Sequence, residues 1–600
     1  MRAKLMRLAS ALLGIVGLAV LGPATEAPAR TTEAAPPSYS LLGNYLAGRF
    51  ARTEQDAESA ADFYERALDL DPKSDVLLEQ AFQMQALNGN WQKAIPLAER
   101  LTDVQPTHRM AHFLLGVAAF KAGDYKKADA RFKAAAENPI GELTAAIARG
   151  WTKLAAGDAS GALASVDLPK QPEWAQFYLR YHRALMADIV GRKAVAGDAY
   201  EKMFRQDSRT LRTSLAYARH AAHYQDMRLA RQILNAQFDK SQSEPHPLVQ
   251  ELLTNLNRSG KVGFLIDNPT EGLAEIFYGL GEALTGEGGV SIGTLYLQLA
   301  LYTKPDHAFA LAALASAQET ARSYAEAIAT YDKIPKNSAL QDAIDIRKAF
   351  NLNSLDRVDE AKAILEELAK KNPKDIQPLE ALGNIARSRK DYPAAITYFS
   401  RAIALIRKPA ERDWGYYYAR GTAYERTKDW PAAETDLKRA LALSPEQPLV
   451  LNYLGYSWID QGRNMKEGMR LIEKAVQLKP DDGYIVDSLG WAYFKQGNYK
   501  EAVKYLERAV EIKPEDPTLN DHLGDAYWQV GREREARFQW SQALTLAPEP
   551  EDAAKIKAKL ENGLPLKAQV ETNRKSRQVN RLDAKRAPSE NNASVPSALE

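Results

Sequence analysis

Along most of the chain, apolar and polar residues recur with the spacing of amphipathic helices. In segment 487–514, apolar side chains return every three or four residues on both sides of a Gly497-Asn498 dipeptide. This spacing places them on one face of a helix. Glycine ends a helix readily because it adopts the left-handed conformation, and Pro514 cannot donate the next helical hydrogen bond. The segment therefore predicts two amphipathic helices joined by a tight turn.

The same arrangement of small residues returns at regular intervals. In each segment one small residue of the second helix serves as the anchor, and a second small residue lies twelve positions earlier in most segments. Anchors follow one another mostly every 34 residues, which predicts a stack of helix pairs that approach closely at these residues. The fourteen anchors are Ala60, Ala94, Ala128, Ala162, Ala196, Ala230, Gly293, Ala327, Ala361, Ala395, Ala433, Gly468, Ala502 and Ala536.

This skeleton resembles the tetratricopeptide repeat family. The resemblance is carried by Leu489-Gly490, Tyr493, Ala502 and the closing Pro514 at the family's 34-residue spacing. It covers roughly residues 41–548 and implies an all-α solenoid, a right-handed superhelix of antiparallel helix pairs with about 14 or 15 repeats. The last four repeats also resemble exported bacterial envelope tetratricopeptide proteins of unassigned activity, in stretches 451–456, 487–491 and 520–528.

Segments outside the repeats have a different composition. Residues 2–7 hold three basic side chains, an apolar run follows at 8–21, and Ala27-Pro28-Ala29 completes the layout of a signal peptide cleaved after Ala29. Anchors Ala230 and Gly293 lie further apart than one repeat, which indicates a degenerate repeat or a joint between two stacks. The predicted organisation is a signal peptide at 1–29, a linker at 30–40, about six repeats at 41–240, an insertion or degenerate repeat at 241–272, about eight repeats at 273–548, a capping helix at 549–563 and a disordered tail at 564–600.

The charge and the cysteine content restrict the cellular compartments and the classes of partner that this chain suits. The chain has 79 basic and 77 acidic side chains. Its basic residues form no stripe of the kind that nucleic-acid-binding proteins carry. It has no cysteine, so an exported form has neither disulfides nor the cysteine to which bacterial lipoproteins attach lipid. We expect a periplasmic or otherwise exported protein that is not a lipoprotein and has no transmembrane span in its mature chain.

Candidate catalytic and metal-binding residues are few. Ser291 lies in a Gly-x-Ser-x-Gly pattern, but a nucleophile elbow needs a preceding strand, and a helical segment precedes this serine. The pair His108 and His112 lacks the glutamate of a zinc protease, and the pair His220 and His223 lacks a third ligand. We expect no enzymatic activity, no cofactor and no metal, and keep an enzyme with an unrecognised divergent site as an alternative.

The family resemblance also implies a binding surface. In tetratricopeptide arrays the first helix of each repeat lines the concave face, and the residues three before, one after and four after the helix's conserved glycine point inward. Relatives that clamp a peptide carboxylate use lysine, arginine and asparagine there, and only Asn452 fits that pattern. The candidate partner-binding residues are Tyr418, Asn452, Tyr456, Asp487, Trp491, Phe494, Asp521, Asp525 and Trp528.

The composition of these groove positions is aromatic and acidic. It suits a basic or aliphatic peptide segment, or a sugar stacked on an aromatic ring. Asp487, Asp521 and Asp525 are expected to form an exposed acidic strip, since carboxylates resist burial, whereas Trp491 and Trp528 either face the groove or pack against neighbouring helices. We expect a non-enzymatic scaffold or adaptor for protein–protein interactions in the bacterial cell envelope. A polysaccharide-export or glycan-binding scaffold is the first alternative.

Overall fold

The computed structural model describes residues 40–168, 170–208, 210–237, 246–259 and 262–564, and every regular element in these ranges is helical. The predicted signal peptide, residues 30–39 of the predicted linker and residues 565–600 of the predicted tail lie outside these ranges. None of the described helices combines the length and the apolar character needed to cross a membrane.

The first of two compact units ends at Val104 and contains two antiparallel helix pairs in its described part. Its helices are α1 (Leu41–Thr53), α2 (Ala57–Leu70), α3 (Asp75–Leu87) and α4 (Trp91–Val104). Ser40 starts α1 by accepting a hydrogen bond from the Gly43 amide at 3.0 Å. A Cβ at Gly48 of α1 would lie 3.2 Å from the Tyr64 ring of α2, so the small residue sets how closely the pair approaches.

The second unit begins at Gln105, and its described residues contain twelve further pairs and two additional helices. The first four pairs are α5 (Arg109–Lys121) with α6 (Tyr125–Ala134), α7 (Asn138–Ala155) with α8 (Ala159–Ser165), α9 (Glu173–Ile189) with α10 (Lys193–Gln206), and α11 (Leu211–His223) with α12 (Met227–Asn235). A single helix, α13 (Pro247–Ser259), follows and packs on α11 and α12.

The remaining pairs of this unit run from residue 269 to residue 545. They are α14 (Pro269–Gly286) with α15 (Val290–Thr303), α16 (Ala308–Thr320) with α17 (Tyr324–Tyr331), α18 (Gln341–Ser354) with α19 (Val358–Lys371), α20 (Gln377–Ser388) with α21 (Tyr392–Leu405), α22 (Trp414–Arg426) with α23 (Trp430–Leu443), α24 (Pro448–Asp460) with α25 (Met465–Leu478), α26 (Gly483–Lys495) with α27 (Tyr499–Ile512), and α28 (Pro517–Gln529) with α29 (Glu533–Thr545). A 3-10 turn (Glu411–Asp413) precedes α22, and α30 (Pro550–Asn562) packs on α29. The fourteen pairs confirm the predicted all-α solenoid of about 14 or 15 repeats.

In most pairs whose first helix has glycine at the small position, a large residue of the second helix lies against that glycine. The large residue follows the anchor by four positions, as in Phe132 over Gly116, Leu506 over Gly490 and Trp540 over Gly524. A Cβ on Gly490 would lie 2.6 Å from Leu506 Cγ, too close for a real contact. The small residues therefore permit the approach, while the large residues fill the space between the helices.

The turn inside every pair contains a residue in the left-handed conformation, five positions before the anchor and, in α24/α25, six positions before it; the α24/α25 turn holds a second such residue, Asn464, at φ 43°. Glycine, which adopts this conformation without strain, occupies eight of these turns: Gly89, Gly123, Gly157, Gly191, Gly288, Gly462, Gly497 and Gly531. The other six turns place a side chain there: Gln55, Gln225, Arg322, Asp356, Lys390 and Lys428. Each of these six positions carries backbone strain of roughly 1 kcal/mol.

We expect Lys428→Gly to raise the free energy of unfolding of its repeat by about 0.5–1 kcal/mol, because glycine removes the strain of a side chain at φ 66°. Urea unfolding of the full chain, with hydrogen exchange followed in α22 and α23, measures the change. Gly497→Ala is the matched control at the equivalent turn of α26/α27, where φ is 78°, and it should lower stability by a similar amount. A Lys428→Gly variant no more stable than the parent would show that the turn is not strained.

The pair α14/α15, called the docked pair below, packs against first helices of earlier pairs of its unit, α5, α7 and α9. Phe113 of α5, Phe277 of α14 and Tyr296 of α15 form an aromatic cluster with ring centroids 5.8 to 6.0 Å apart. Thr144 Oγ1 of α7 lies 3.3 Å from the Tyr296 hydroxyl. These contacts join helices about 150 residues apart in sequence, so this unit is more than a chain of neighbouring repeats.

Glu275 of α14 is the buried charge at the docked pair, only 2% exposed. It accepts hydrogen bonds from the Tyr181 hydroxyl at 2.9 Å and from Arg212 Nε at 2.9 Å, and His307 Nε2 lies 3.4 Å away. Burial favours a raised pKa, but the Arg212 guanidinium and His307 outweigh burial and hold the pKa of Glu275 well below its usual range. The carboxylate is therefore ionised, and its pair with Arg212 ties α11 to α14.

The docked pair fills groove positions of three repeats, α5/α6, α7/α8 and α9/α10, which are called the first repeats below. Phe113 and Tyr181 lie three residues before the small residue of their helices, and Trp151 lies one residue after it. Trp151 lies directly under Gly272 of α14, where a Cβ would overlap the indole ring. The surface that the family resemblance assigns to partner binding is thus occupied here by a helix pair of the same chain.

Candidate partner-binding groove

The nine predicted groove residues lie on α22, α24, α26 and α28, the first helices of the last four pairs. The helices that pack on α22, α24 and α26 belong to their own and adjacent pairs. Within the described ranges, nothing equivalent to the docked pair covers these three helices. Tyr418, Asn452, Tyr456, Trp491 and Phe494 are partly exposed, and with His522 they define the surface called the C-terminal groove below.

An aromatic stack forms the centre of the C-terminal groove. The Trp491 ring stacks on Phe494, with centroids 4.7 Å apart and planes 6° from parallel. It also stacks on His522 of α28, with centroids 4.0 Å apart and planes at 15°. Lys495 Nζ lies 5.4 Å from the Trp491 ring centroid. The stack joins two successive first helices into one rigid aromatic surface.

Asp487 lies behind this stack and is 6% exposed. Both of its carboxylate oxygens lie 3.0 Å from Nδ1 of His522. Burial opposes protonation of His522, but the Asp487 carboxylate outweighs burial and raises the pKa of the imidazole. When His522 is protonated, its charge offsets that of Asp487, and the low exposure of this carboxylate further limits its contribution to the surface of the groove.

The other two aspartates are covered by α30. Lys559 Nζ lies 2.8 Å from the carboxylates of both Asp521 and Asp525. Asp525 is 5% exposed and also accepts a hydrogen bond from Trp540 Nε1 at 2.9 Å. Burial raises the pKa of Asp525 to about 6, against the opposing effect of Lys559. This cluster holds α30 against α28.

The expectation of an exposed acidic strip is therefore wrong for Asp487 and Asp525. Each is buried because it has a cationic partner, which offsets the cost of removing a carboxylate from water. Asp521 is partly exposed but shares Lys559 with Asp525. Trp528 is buried as well, and its Nε1 donates to the Leu564 carbonyl at 2.6 Å. The open part of the predicted site is thus limited to α22, α24 and α26.

Tyrosines line the other end of the C-terminal groove. The Tyr418 ring centroid lies 5.9 Å from that of Tyr453, whose hydroxyl donates to Glu425 at 2.8 Å. Burial, with help from nearby carboxylates, raises the pKa of Tyr456, so its phenol is neutral. This end therefore offers aromatic surface and neutral hydroxyl groups.

Two polar atoms of this surface are buried without a hydrogen-bond partner among the described residues. They are Oδ1 of Asn452, an acceptor, and Nε1 of Trp491, a donor. Buried polar groups are paired in most folded proteins, because an unpaired group costs free energy. An unpaired acceptor and an unpaired donor therefore lie beneath the surface of the groove.

Sequence reasoning missed two residues that shape this region, His522 and Lys559. His522 follows Asp521, but its partner Asp487 is 35 residues earlier, about one repeat. A search for opposite charges one repeat apart on successive first helices finds this pair. Lys559 is one of several lysines of α30, and nothing in the sequence distinguishes it from its neighbours.

The candidate catalytic and metal-binding residues make structural contacts. Ser291 lies in the first turn of α15 and is preceded by α14, where a nucleophile elbow needs a strand. No cluster of three or more metal-ligand side chains occurs in the described ranges. The histidines have ordinary partners: His108 accepts from the Ala111 amide at 3.2 Å, His112 lies 2.8 Å from the Pro106 carbonyl, His220 lies 2.6 Å from Asp188, and the ring of His223 lies 4.1 Å from that of Phe264.

Comparison with known proteins finds repeats in five segments of the chain. Models described as tetratricopeptide repeat match residues 43–74, 88–142, 354–411 and 418–483, and one described as TPR repeat matches residues 490–531. The TPR repeat-containing protein PA4667 of Pseudomonas aeruginosa is 31% identical over 157 residues. That match spans 25% of this chain and 25% of the relative.

Solved structures of similar architecture include two long repeat proteins. The crystal structure of the APC/C hetero-tetramer Cut9-Hcn1 matches with a TM-score of 0.36 and 13% identity, over 87% of this chain and 96% of that chain. Yeast Tom70 matches with a TM-score of 0.34 and 13% identity, over 91% of this chain and 99% of that chain. The repeat pattern, the fourteen helix pairs and the matched repeat models lead to one conclusion: the chain carries tetratricopeptide repeats.

Proposed function

We propose that this protein is a non-enzymatic scaffold or adaptor of the bacterial cell envelope, and that its C-terminal groove binds a helical segment of a partner protein. The tetratricopeptide repeats support a role in protein–protein interaction. The signal-peptide pattern at residues 1–29 and the lack of cysteine support export.

The observation that carries the proposal is the docked pair. Phe113, Trp151 and Tyr181 occupy groove positions of the first repeats, and there they contact two helices of the same chain. Tyr456 and Trp491 occupy equivalent positions, one residue after the conserved glycine, on α24 and α26. Since the same fold positions bind helices in the first repeats, we infer a helical ligand for the last repeats as well.

The chemistry of the C-terminal groove favours an apolar partner helix over a strongly basic one. Asp487 pairs with His522, and Asp521 and Asp525 pair with Lys559, so these carboxylates are largely compensated. The exposed surface is instead aromatic. A helix that presents aliphatic side chains to this surface matches it best.

The aromatic stack also distinguishes peptide from glycan. A sugar binds tryptophan by lying flat on the indole, and here Phe494 and His522 both stack on Trp491. The Trp491 surface on which a sugar ring would lie is therefore already covered by these two rings. The stack supports edge-on contact with side chains, so peptide binding is favoured over the glycan-binding alternative.

Site-specific photo-crosslinking in intact cells tests the proposal. A photoreactive amino acid replaces Tyr456 in the full-length chain, and the control places it at Phe538, an exposed aromatic residue of the second helix α29. We expect a protein crosslinked at 456 and not at 538, with the crosslink mapping to a helix of that protein. Trp491→Ala should reduce its yield at least about tenfold, because buried aromatic anchors dominate such interfaces.

The outcomes separate the proposal from its alternatives. Equal yield with and without Trp491, at unchanged thermal stability, places the binding surface elsewhere. A crosslink to carbohydrate supports the glycan alternative. The N-terminal sequence and the cell fraction of the captured chain test export, since a chain that still begins at Met1 and lies in the cytosolic fraction contradicts the envelope assignment.

A further inference from the structure

A second candidate binding site lies where the docked pair meets the starts of α5, α7 and α9. A cavity of about 520 Å³ opens there, a size typical of small-molecule sites. Its walls are largely apolar and include Ile140, Pro172 and Leu284. Trp174 and Ile292, which are 45% and 43% exposed, lie at its edge. Exposed apolar side chains of this size around a cavity are typical of a ligand site.

Arg109 is the charged residue of the cavity lining. Its Nε is buried without a hydrogen-bond partner, and no carboxylate of the described residues pairs with its guanidinium. Gly141 of α7 allows this placement, because a Cβ there would lie 3.0 Å from Arg109 Cδ. Arg109 is partly exposed, so its guanidinium is free to pair with an anion that enters the cavity.

We propose that this cavity binds a small amphiphilic carboxylate, with the carboxylate on the Arg109 guanidinium and the apolar body against the wall formed by Ile140, Leu284 and Ile292. A guanidinium binds a carboxylate through two parallel hydrogen bonds, which fixes the orientation of the ligand. The site is separate from the C-terminal groove and does not depend on the function proposed for it.

Calorimetric titration of the full chain with decanoate, below its micelle concentration, tests the inference. We expect saturable binding at one site per chain, accompanied by a change in tryptophan fluorescence. Trp174→Phe should remove most of the fluorescence change and leave the calorimetric binding in place, because Trp174 borders the cavity. Binding without a Trp174 response would place decanoate elsewhere and overturn the assignment.

Matched ligands and variants separate recognition from non-specific adsorption. Decanol has the same chain without the charge, and acetate has the charge without the chain, so both should bind at least about tenfold more weakly. Arg109→Gln should weaken decanoate binding at least about tenfold, and Ile292→Trp should block the cavity. Arg463→Gln, at an exposed arginine of another repeat, should have no effect. Equal binding of decanol, or unchanged binding by Arg109→Gln, would overturn the proposal.

Discussion

Replacing Glu275 with alanine is expected to lower the free energy of unfolding by about 3–5 kcal/mol, because it leaves buried Arg212 without its counter-charge. The Tyr181 hydroxyl loses its acceptor as well. Hydrogen exchange of the full chain should become faster in α5, α7 and α9 together with α14 and α15, since the docked pair joins these helices. Exchange in α24 to α29 should not change, because a repeat array transmits damage mainly to its contacting neighbours.

Glu271→Ala is the matched control for this prediction. Glu271 lies one turn earlier on α14 and pairs with Lys304 at 3.1 Å, but it remains accessible to solvent. Its removal should change stability by no more than about 1 kcal/mol. A Glu275→Ala variant in which faster exchange stays confined to α14 and α15 would contradict the structural role that we assign to the docked pair.

Replacing Lys559 with methionine is expected to destabilise the contact between α28 and α30 by about 2–3 kcal/mol near pH 8, and the loss should diminish in acid. In the folded protein the pKa of Asp525 is raised to about 6, above its value in an unfolded chain. The folded state therefore binds this proton more tightly, and stability attributable to Asp525 rises as the pH falls from about 6 toward 4. Without Lys559 the pKa of Asp525 should rise further, because Lys559 is the cation that lowers it.

Urea unfolding at pH 8 and pH 5 measures this effect, with the fluorescence of Trp528 and Trp540 as a local signal. Lys555→Met is the control, since Lys555 is an exposed lysine of the same helix whose ion pairs, among the residues that the structure describes, are with Glu551 and Asp552 of that helix. It should leave unfolding unchanged at both pH values. A loss of equal size at pH 8 and pH 5 in the Lys559 variant would show that Asp525 does not titrate as the structure indicates.

The repeat architecture was predictable from the sequence because its determinants are local. Each pair is defined by a small anchor such as Ala502, by the small residue Gly490 and by a turn residue such as Gly497, all within one 34-residue segment. The exact partner of Gly490 was not predictable from spacing alone. The anchor Ala502 marks the pair, but Leu506 makes the close contact, since its side chain points back across the helix interface.

The docked pair was not predictable, because nothing periodic marks it. Its main polar contact joins Arg212 to Glu275, 63 residues apart, and both residues resemble the many exposed charges of other repeats. The groove aromatics Phe113 and Trp151 look the same in sequence as Tyr456 and Trp491. Only the packed structure shows that the first set is filled from within the chain, whereas the helices that carry the second set pack only on their own and adjacent pairs.

The candidate site was predicted in part. The positions on α22, α24 and α26 follow from the repeat register, and the structure places their aromatic side chains at the surface. The buried state of Asp487 and Asp525 depends on His522 and Lys559, whose positions relative to the aspartates require the three-dimensional register of successive helices. Aspartate side chains are usually exposed, but the contacts with His522 and Lys559 allow Asp487 and Asp525 to be buried.

The docked pair also sets an order of events in folding. Neighbouring repeats such as α5 to α12 make contacts at short sequence separation, which form quickly. The contact of Thr144 with Tyr296 spans 152 residues, and the entropy of closing so long a loop delays it. We therefore expect a state in which these repeats are formed but Phe113, Trp151 and Tyr181 are still uncovered. Such a state would expose the same kind of aromatic surface that the finished protein carries on α24 and α26.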